Sequence, residues 1–149
     1  MDIAEELRAI EQIKALKARY WRGIDTRDRA LLRGVFTDDA ITDFRDSTQS
    51  DDDTQLKRNP DAFVDDLFAL LNGVVTVHHG HSPEIALRSE TEATGIWPME
   101  DWLWVEDEAS SLPFRKLNGW GHYHDTYRKT AIGWRIASTK LVRIRVEAE

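Results

Sequence analysis

Arg19-Tyr20-Trp21-Arg22-Gly23-Ile24-Asp25 closes the longest helical pattern of this 149-residue chain, and its distant counterpart is Thr76-Val77-His78-His79-Gly80-His81-Ser82-Pro83. Upstream, Ile3, Leu7, Ile10, Ile13, Leu16, Tyr20 and Ile24 recur at spacings of three and four, so residues 2–24 predict one amphipathic helix. Glu5, Glu6, Arg8, Glu11, Lys14 and Lys17 are assigned to its opposite, polar face. Gly23 weakens the helix near its end. Asp25 then falls at the edge of the inward stripe, one turn beyond Trp21. Two roles are open to it: a carboxylate at the rim of a pocket, or a cap for the next helix, which Asp25-Thr26-Arg27-Asp28 also suits.

Moving outward, residues 27–35 predict a second, short helix, 36–40 a turn and 41–44 a short strand. Residues 46–59 are polar, with Asp51-Asp52-Asp53 at their centre, and read as a surface loop. A calcium site is the weaker reading, because three adjacent aspartates lack the spaced ligands and the glycine of an EF-hand loop. Asn59-Pro60-Asp61 opens a third helix with Phe63, Val64, Leu67, Phe68, Leu70 and Leu71 as its apolar face, and Asn72-Gly73 ends it. After Gly73 the pattern turns to strands over 74–87, 91–105, 117–129 and 134–146, the last two joined by a hairpin at Thr130-Ala131-Ile132-Gly133. Helices first and antiparallel strands after imply an α+β fold in one domain over 1–149, three N-terminal helices packed on a strongly bent, mostly antiparallel sheet.

Composition narrows the function classes. The chain is 41% hydrophobic and 32% charged, which describes a globular protein rather than a disordered one. A net charge of −7 argues against a nucleic-acid partner, since phosphate binding needs a basic surface. No apolar run approaches the roughly 20 residues that span a bilayer, and the acidic start lacks a signal-peptide pattern. A cytoplasmic location is therefore expected. Without cysteine there is no disulfide framework, thiolate metal site or cysteine nucleophile. Six tryptophans suit core packing or an aromatic-lined cavity.

Strand alternation flags polar residues in apolar rows. Asp101 shares a row with Trp97, Met99, Leu103 and Val105. Ser138 and Lys140 share one with Trp134, Ile136, Val142, Ile144 and Val146, while Arg143 and Arg145 fall on the opposite row, where exposed or intersubunit charge is natural. Buried ionised groups are costly unless paired, so Asp101 and Lys140 either floor a polar pocket or escape at bulges and strand ends. His78, His79, His81, His122 and His124 include two His-x-His spacings, yet nothing else supports a metal site and none is expected.

The segments Ala9-Ile10-Glu11-Gln12-Ile13-Lys14, Tyr20-Trp21-Arg22-Gly23-Ile24-Asp25, Thr76-Val77-His78-His79-Gly80, Gly121-His122-Tyr123-His124 and Gly133-Trp134-Arg135-Ile136-Ala137, in that order and spacing, resemble the SnoaL-like family. Its superfamily of cone-shaped α+β barrels includes nuclear transport factor two and ketosteroid isomerase. The nearest enzyme branch in resemblance is that of scytalone dehydratase, bile-acid 7α-dehydratase and lindane dehydrochlorinase. The resemblance implies that His78 is the base of an elimination and Asp25 its orienting carboxylate. It also implies Tyr20 as a pocket tyrosine and Asp101 as a second pocket carboxylate. Ile24 and Phe44 stand where scytalone dehydratase has two tyrosines, and Asp101-Trp102-Leu103 where it has a second histidine. These departures point away from scytalone itself.

The expectation is a cofactor-independent dehydratase acting on an apolar cyclic hydroxy-ketone, polyketide- or steroid-like. His78 and Asp25 would be catalytic, and Tyr20, Asp101, Lys140, Phe44 and Trp97 would bind substrate. A neutral imidazole takes and returns a proton near neutral pH, and a buried carboxylate fixes its tautomer. Such relatives imply a homo-oligomer, dimer or trimer. The rival readings are an isomerase, a small subunit associated with aromatic-ring hydroxylation, and a non-catalytic ligand-binding module.

Overall fold

The computed structural model describes residues 1–48 and 53–149. Residues 49–52 of the expected 46–59 loop lie outside that range. Helix α1 (Ile3–Asp25) starts at a reciprocal cap, the Asp2 carboxylate accepting from Glu5 N–H and the Glu5 carboxylate from Asp2 N–H, both at 2.9 Å. Short helix α2 (Arg29–Gly34) crosses its end, and a Cβ on Gly23 would stand 3.0 Å from Leu32. Gly23 thus serves close helix approach as well as the end of α1. The N-cap of α2 is Asp28, not Asp25, which frees Asp25 for other contacts.

Strand β1 (Phe36–Asp43) replaces the expected turn and is longer than the short strand read from sequence. It is hydrogen-bonded in parallel to the last strand, and that partner is invisible in local sequence. A four-residue helix α3 (Arg45–Thr48), a 3-10 turn (Asp53–Gln55) and strand β2 (Leu56–Lys57) precede helix α4 (Pro60–Leu70). The expected 74–87 strand divides into β3 (Val74–Gly80) and β4 (Glu84–Leu87) around His81-Ser82-Pro83. Both pair antiparallel with β5 (Glu92–Val105), which continues into β6 (Lys116–Thr130) and β7 (Gly133–Ala148). The seven-stranded sheet runs β2-β1-β7-β6-β5-β3, with β4 beside β5. This is an α+β barrel with the helices packed into a curved, mostly antiparallel sheet. Among the described residues, no helix is long and apolar enough to cross a membrane.

Two irregularities in the β6–β7 ladder decide which side chains face inward. Tyr127 opposes Ile136 but Thr126 opposes Ser138, so Ala137 is an extra residue; Gly121 opposes Arg143 but Trp120 opposes Arg145, so Ile144 is another. One extra residue reverses the alternation beyond it. The simple two-residue period therefore fails after Ala137: Thr139, Leu141 and the Arg143 side chain turn inward, and Lys140 is exposed. The expected Lys140 pocket contact is corrected on this ground.

A second correction concerns α1. Lys17, assigned to the polar face, is fully buried, its Nζ 2.8 Å from Asp125 Oδ2 on β6 and over the Tyr20 and Tyr123 rings at 4.2 and 3.9 Å from their centroids. Asp125 also accepts from Tyr127 (2.8 Å) and Thr139 (2.6 Å), and Trp97 Nε1 donates to the Tyr127 hydroxyl (2.8 Å). Burial pushes the Lys17 ammonium down from the ordinary lysine value, and Asp125 pulls it back only in part. This charged knot, with Trp21 edge-on to Trp97, fills the interior behind the cavity.

Gly80 shows how tight that packing is. A Cβ there would overlap the six-membered ring of Trp21, which Tyr20, Tyr123 and Trp97 pen in from other sides. Gly80→Ala is expected to destabilise the fold by about 1–3 kcal/mol, the usual range for overpacking, read as a lower urea midpoint at unchanged slope.

Candidate functional site

A cavity of about 1060 Å³ opens between α1, α4 and the concave side of the sheet. Its wall is mainly apolar: Ile24 from α1, Phe63, Leu67, Leu70 and Leu71 from the α4 region, and Leu103, Leu117 and Leu141 from the strands. Phe44 stacks on Phe63 at 5.4 Å and lines the cavity. Leu112 and Phe114, in the loop between β5 and β6, add to the mouth. That volume and lining suit a bulky, largely hydrophobic ligand.

The polar groups are gathered at one wall. The last helical residue of α1, Asp25, meets β3 side by side. Its Oδ2 accepts from His78 N–H (2.8 Å), and its Oδ1 from the Thr76 hydroxyl (2.9 Å) and His78 Nδ1 (2.6 Å). An ionised carboxylate only accepts, so Nδ1 carries the hydrogen, and in the neutral ring Nε2 is the nitrogen with the lone pair. Across the β3–β5 ladder His78 opposes Asp101, and Nε2 stands 3.8 Å from Asp101 Oδ2, too long for a hydrogen bond.

Asp101 is held in turn by a bidentate pair, Arg143 Nη1 to Oδ1 at 2.7 Å and Nη2 to Oδ2 at 2.9 Å. Both charges are largely buried, and an arginine fork suits a carboxylate here better than a point charge would. Burial works to lower the Arg143 guanidinium, but the Asp101 bonds outweigh it and raise it overall. Gly119 faces Asp101 in the ladder, and any Cβ there would press on the Arg143 fork and on Asp101 Oδ1.

Two phenols complete the wall. Tyr20 and Tyr123 meet edge to face at 5.6 Å and both reach the cavity. Burial pushes the Tyr20 phenol well above its ordinary value, the neighbouring Tyr123 adding to it; Tyr123 rises from burial and from Asp101. Both therefore stay neutral hydrogen-bond donors at any physiological pH. The Tyr20 hydroxyl is itself fully buried, with the Tyr123 phenol as its polar neighbour.

The expected site residues divide accordingly. His78, Tyr20, Asp101 and Phe44 line the cavity, and Asp25 stands behind that lining, bonded to His78 and Thr76. Trp97 does not: it lies on the inward row but deeper, committed to Tyr127 and Trp21. Lys140 is exposed on the outside. Sequence reasoning missed Arg143, Tyr123 and Thr76. An inward row of Gly119, Gly121, Tyr123, Asp125 and Tyr127 in β6 was the available signal for Tyr123. His79 and His81 are exposed beside Glu100, and His122 and His124 neighbour each other with centroids 6.4 Å apart, neither lining the cavity. Among the described residues, no group of three or more histidine and carboxylate side chains is arranged to hold a metal ion.

Comparison with known proteins adds three likenesses of fold and one of family. The SnoaL-like domain profile matches residues 5–140. The Kfla4162 protein of Kribbella flavida is 23% identical, with 95% of each chain covered and a TM-score of 0.83. A protein of Novosphingobium aromaticivorans provisionally named a scytalone dehydratase is 18% identical, over 99% of this chain and 92% of its own, with a TM-score of 0.83. The hexachlorocyclohexane dehydrochlorinase LinA-type3 of Novosphingobium barchaimii is 16% identical, over 99% and 94%, with a TM-score of 0.72. At these identities the structural matches establish the shared fold.

Proposed function

The chain belongs to the SnoaL-like domain family, and from that premise and the geometry above we propose that it is a cofactor-independent lyase. Its reaction is the elimination of water from a bulky, apolar cyclic hydroxy-ketone. The observation that carries this reading is the 2.6 Å Asp25–His78 contact at the wall of a large apolar cavity, with Nε2 turned toward a second, arginine-held carboxylate. The dehydrochlorinase and dehydratase names of proteins sharing the fold agree with elimination chemistry.

In this scheme His78 Nε2 takes the proton on the carbon beside the ketone, so a C–H bond breaks and an N–H bond forms. The electron pair moves onto the ketone oxygen, where the neutral Tyr123 hydroxyl, backed by Tyr20, donates to it. The imidazolium then has a carboxylate at each nitrogen, Asp25 at Nδ1 and Asp101 near Nε2, both of which stabilise its charge. As the electron pair returns, the C–O bond breaks and the leaving hydroxyl recovers the proton from His78 as water. An unsaturated ketone remains. The apolar wall keeps bulk water away and strengthens each of these polar contacts.

Screening cyclic β-hydroxy-ketones for growth of enone absorbance tests the proposal. A cavity that binds such ligands tightly, with no turnover of any of them, would instead favour a non-catalytic binding module. Gly119→Ala gives a second check. Its methyl group displaces the Arg143 fork from Asp101, and kcat is expected to fall at least about tenfold, as small misplacements at a reacting centre do, together with a lower thermal midpoint because a buried pair is disturbed.

A further inference from the structure

Helix α1 ends in a bonding pattern whose left-handed position ordinarily holds glycine. Asp28 N–H reaches Gly23 O at 2.9 Å and Arg27 N–H reaches Ile24 O at 3.1 Å, which together close the final turn. Arg27 sits at the left-handed position with φ 54°, and it is the one non-glycine residue at positive φ among the described residues. A side chain is disfavoured there, so its presence asks for a purpose.

The Arg27 guanidinium turns under β3. Nη1 donates to Ile24 O and to the Thr76 hydroxyl (3.0 Å), while Nη2 donates to Val74 O and Leu71 O (3.4 Å). A guanidinium has donors only, so the Thr76 oxygen must accept from it. The single hydroxyl hydrogen of Thr76 is thereby committed to its other partner, Asp25 Oδ1, at 2.9 Å. Asp25 then receives three donors, namely Thr76 O–H, His78 Nδ1–H and His78 N–H, which fix the plane of its carboxylate. Arg27 itself does not line the cavity.

We infer that Arg27 is a positioning residue for the Asp25–His78 pair, acting through the Thr76 hydroxyl that it aims at Asp25. Its kinetic consequence rests on the elimination reading; its effect on His78 does not. The remaining charged and phenolic groups around His78 are Asp101 on β5, Arg143 on β7, Tyr123 on β6 and Tyr20 on α1, and none of them touches Arg27.

The test uses three substitutions in the full chain. Arg27→Gly places the favoured residue at the left-handed position, so the backbone there is preserved; Thr76→Val removes only the hydroxyl; Thr76→Ser restores it. The imidazole nitrogen NMR shifts of His78, assigned by their loss in His78→Gln, report how fully its hydrogen resides on Nδ1. Arg27→Gly and Thr76→Val are both expected to move these shifts toward mixed-tautomer values and to lower kcat about tenfold, the size of a small misalignment, with KM little changed. Thr76→Ser is expected to recover both. Wild-type shifts in Arg27→Gly, or Thr76→Ser behaving like Thr76→Val, overturn the inference. Because the shifts are read on resting protein, a failed positioning role and a failed elimination remain separate results.

Discussion

His78→Gln is expected to lower turnover of the proposed cyclic hydroxy-ketone substrate by about 10²–10⁴, the usual contribution of a positioned general base, while KM changes little. Glutamine keeps much of the volume and a hydrogen-bonding end, so the cavity stays filled, yet it takes no proton at neutral pH. Asp25→Asn is expected to cost nearly as much. The carboxamide is close in shape, but its NH2 group can donate to His78 Nδ1 and stabilise the wrong tautomer, placing a hydrogen on Nε2 where the lone pair is needed. Steady-state kinetics on both variants checks this. If either retains turnover within a factor of about ten of wild type, well short of what a lost base costs, the proton transfer is carried elsewhere and the elimination scheme fails.

The second large effect is on stability. Lys17→Met leaves Asp125 buried with hydrogen bonds from Tyr127 and Thr139 but no countercharge. Removing one partner of a buried pair typically costs about 3–5 kcal/mol, and Lys17→Met is expected to lie in that range by urea denaturation. Adding Asp125→Asn to Lys17→Met should recover much of the loss, since the stranded charge is then gone. Arg29→Ala, which breaks the exposed ion pair with Asp65, is the control and should cost at most about 1 kcal/mol. A Lys17→Met midpoint as close to wild type as that of the control would show that the pair is dispensable to the fold.

Lys17 also shows what the sequence had to offer. It lies four residues after Ile13 and three before Tyr20, on the same stripe as the core residues of α1, so the helical spacing alone placed it inside. Reading it by residue type rather than by position hid it. The broad α+β arrangement was legible because the amphipathic period of α1 and α4 and the alternation of β5 are local properties. The inward row of β5, including Asp101, followed from alternation and stands as expected. The parallel pairing of β1 with β7 was not legible, because it joins segments about a hundred residues apart by backbone hydrogen bonds that leave little local trace. Asp25 and His78 were singled out through family resemblance, not through spacing, and only the structure shows them in contact. Arg143 was lost for a plainer reason: Ala137 reverses the alternation, and nothing about an alanine in a strand announces that it will be left unpaired.

That unpaired alanine also bears on how such a chain changes over generations. Deleting Ala137 alone would remove the unpaired residue and leave Ser138 opposite Thr126, Thr139 opposite Asp125 and Leu141 opposite Tyr123, so every downstream side chain keeps the face it now has. The forked cation facing Asp101 would stay in place. This one in-frame loss is therefore expected to be absorbed, and a library of single-residue deletions along β7 should tolerate a gap at Ala137 with no change in the side chains that face the cavity.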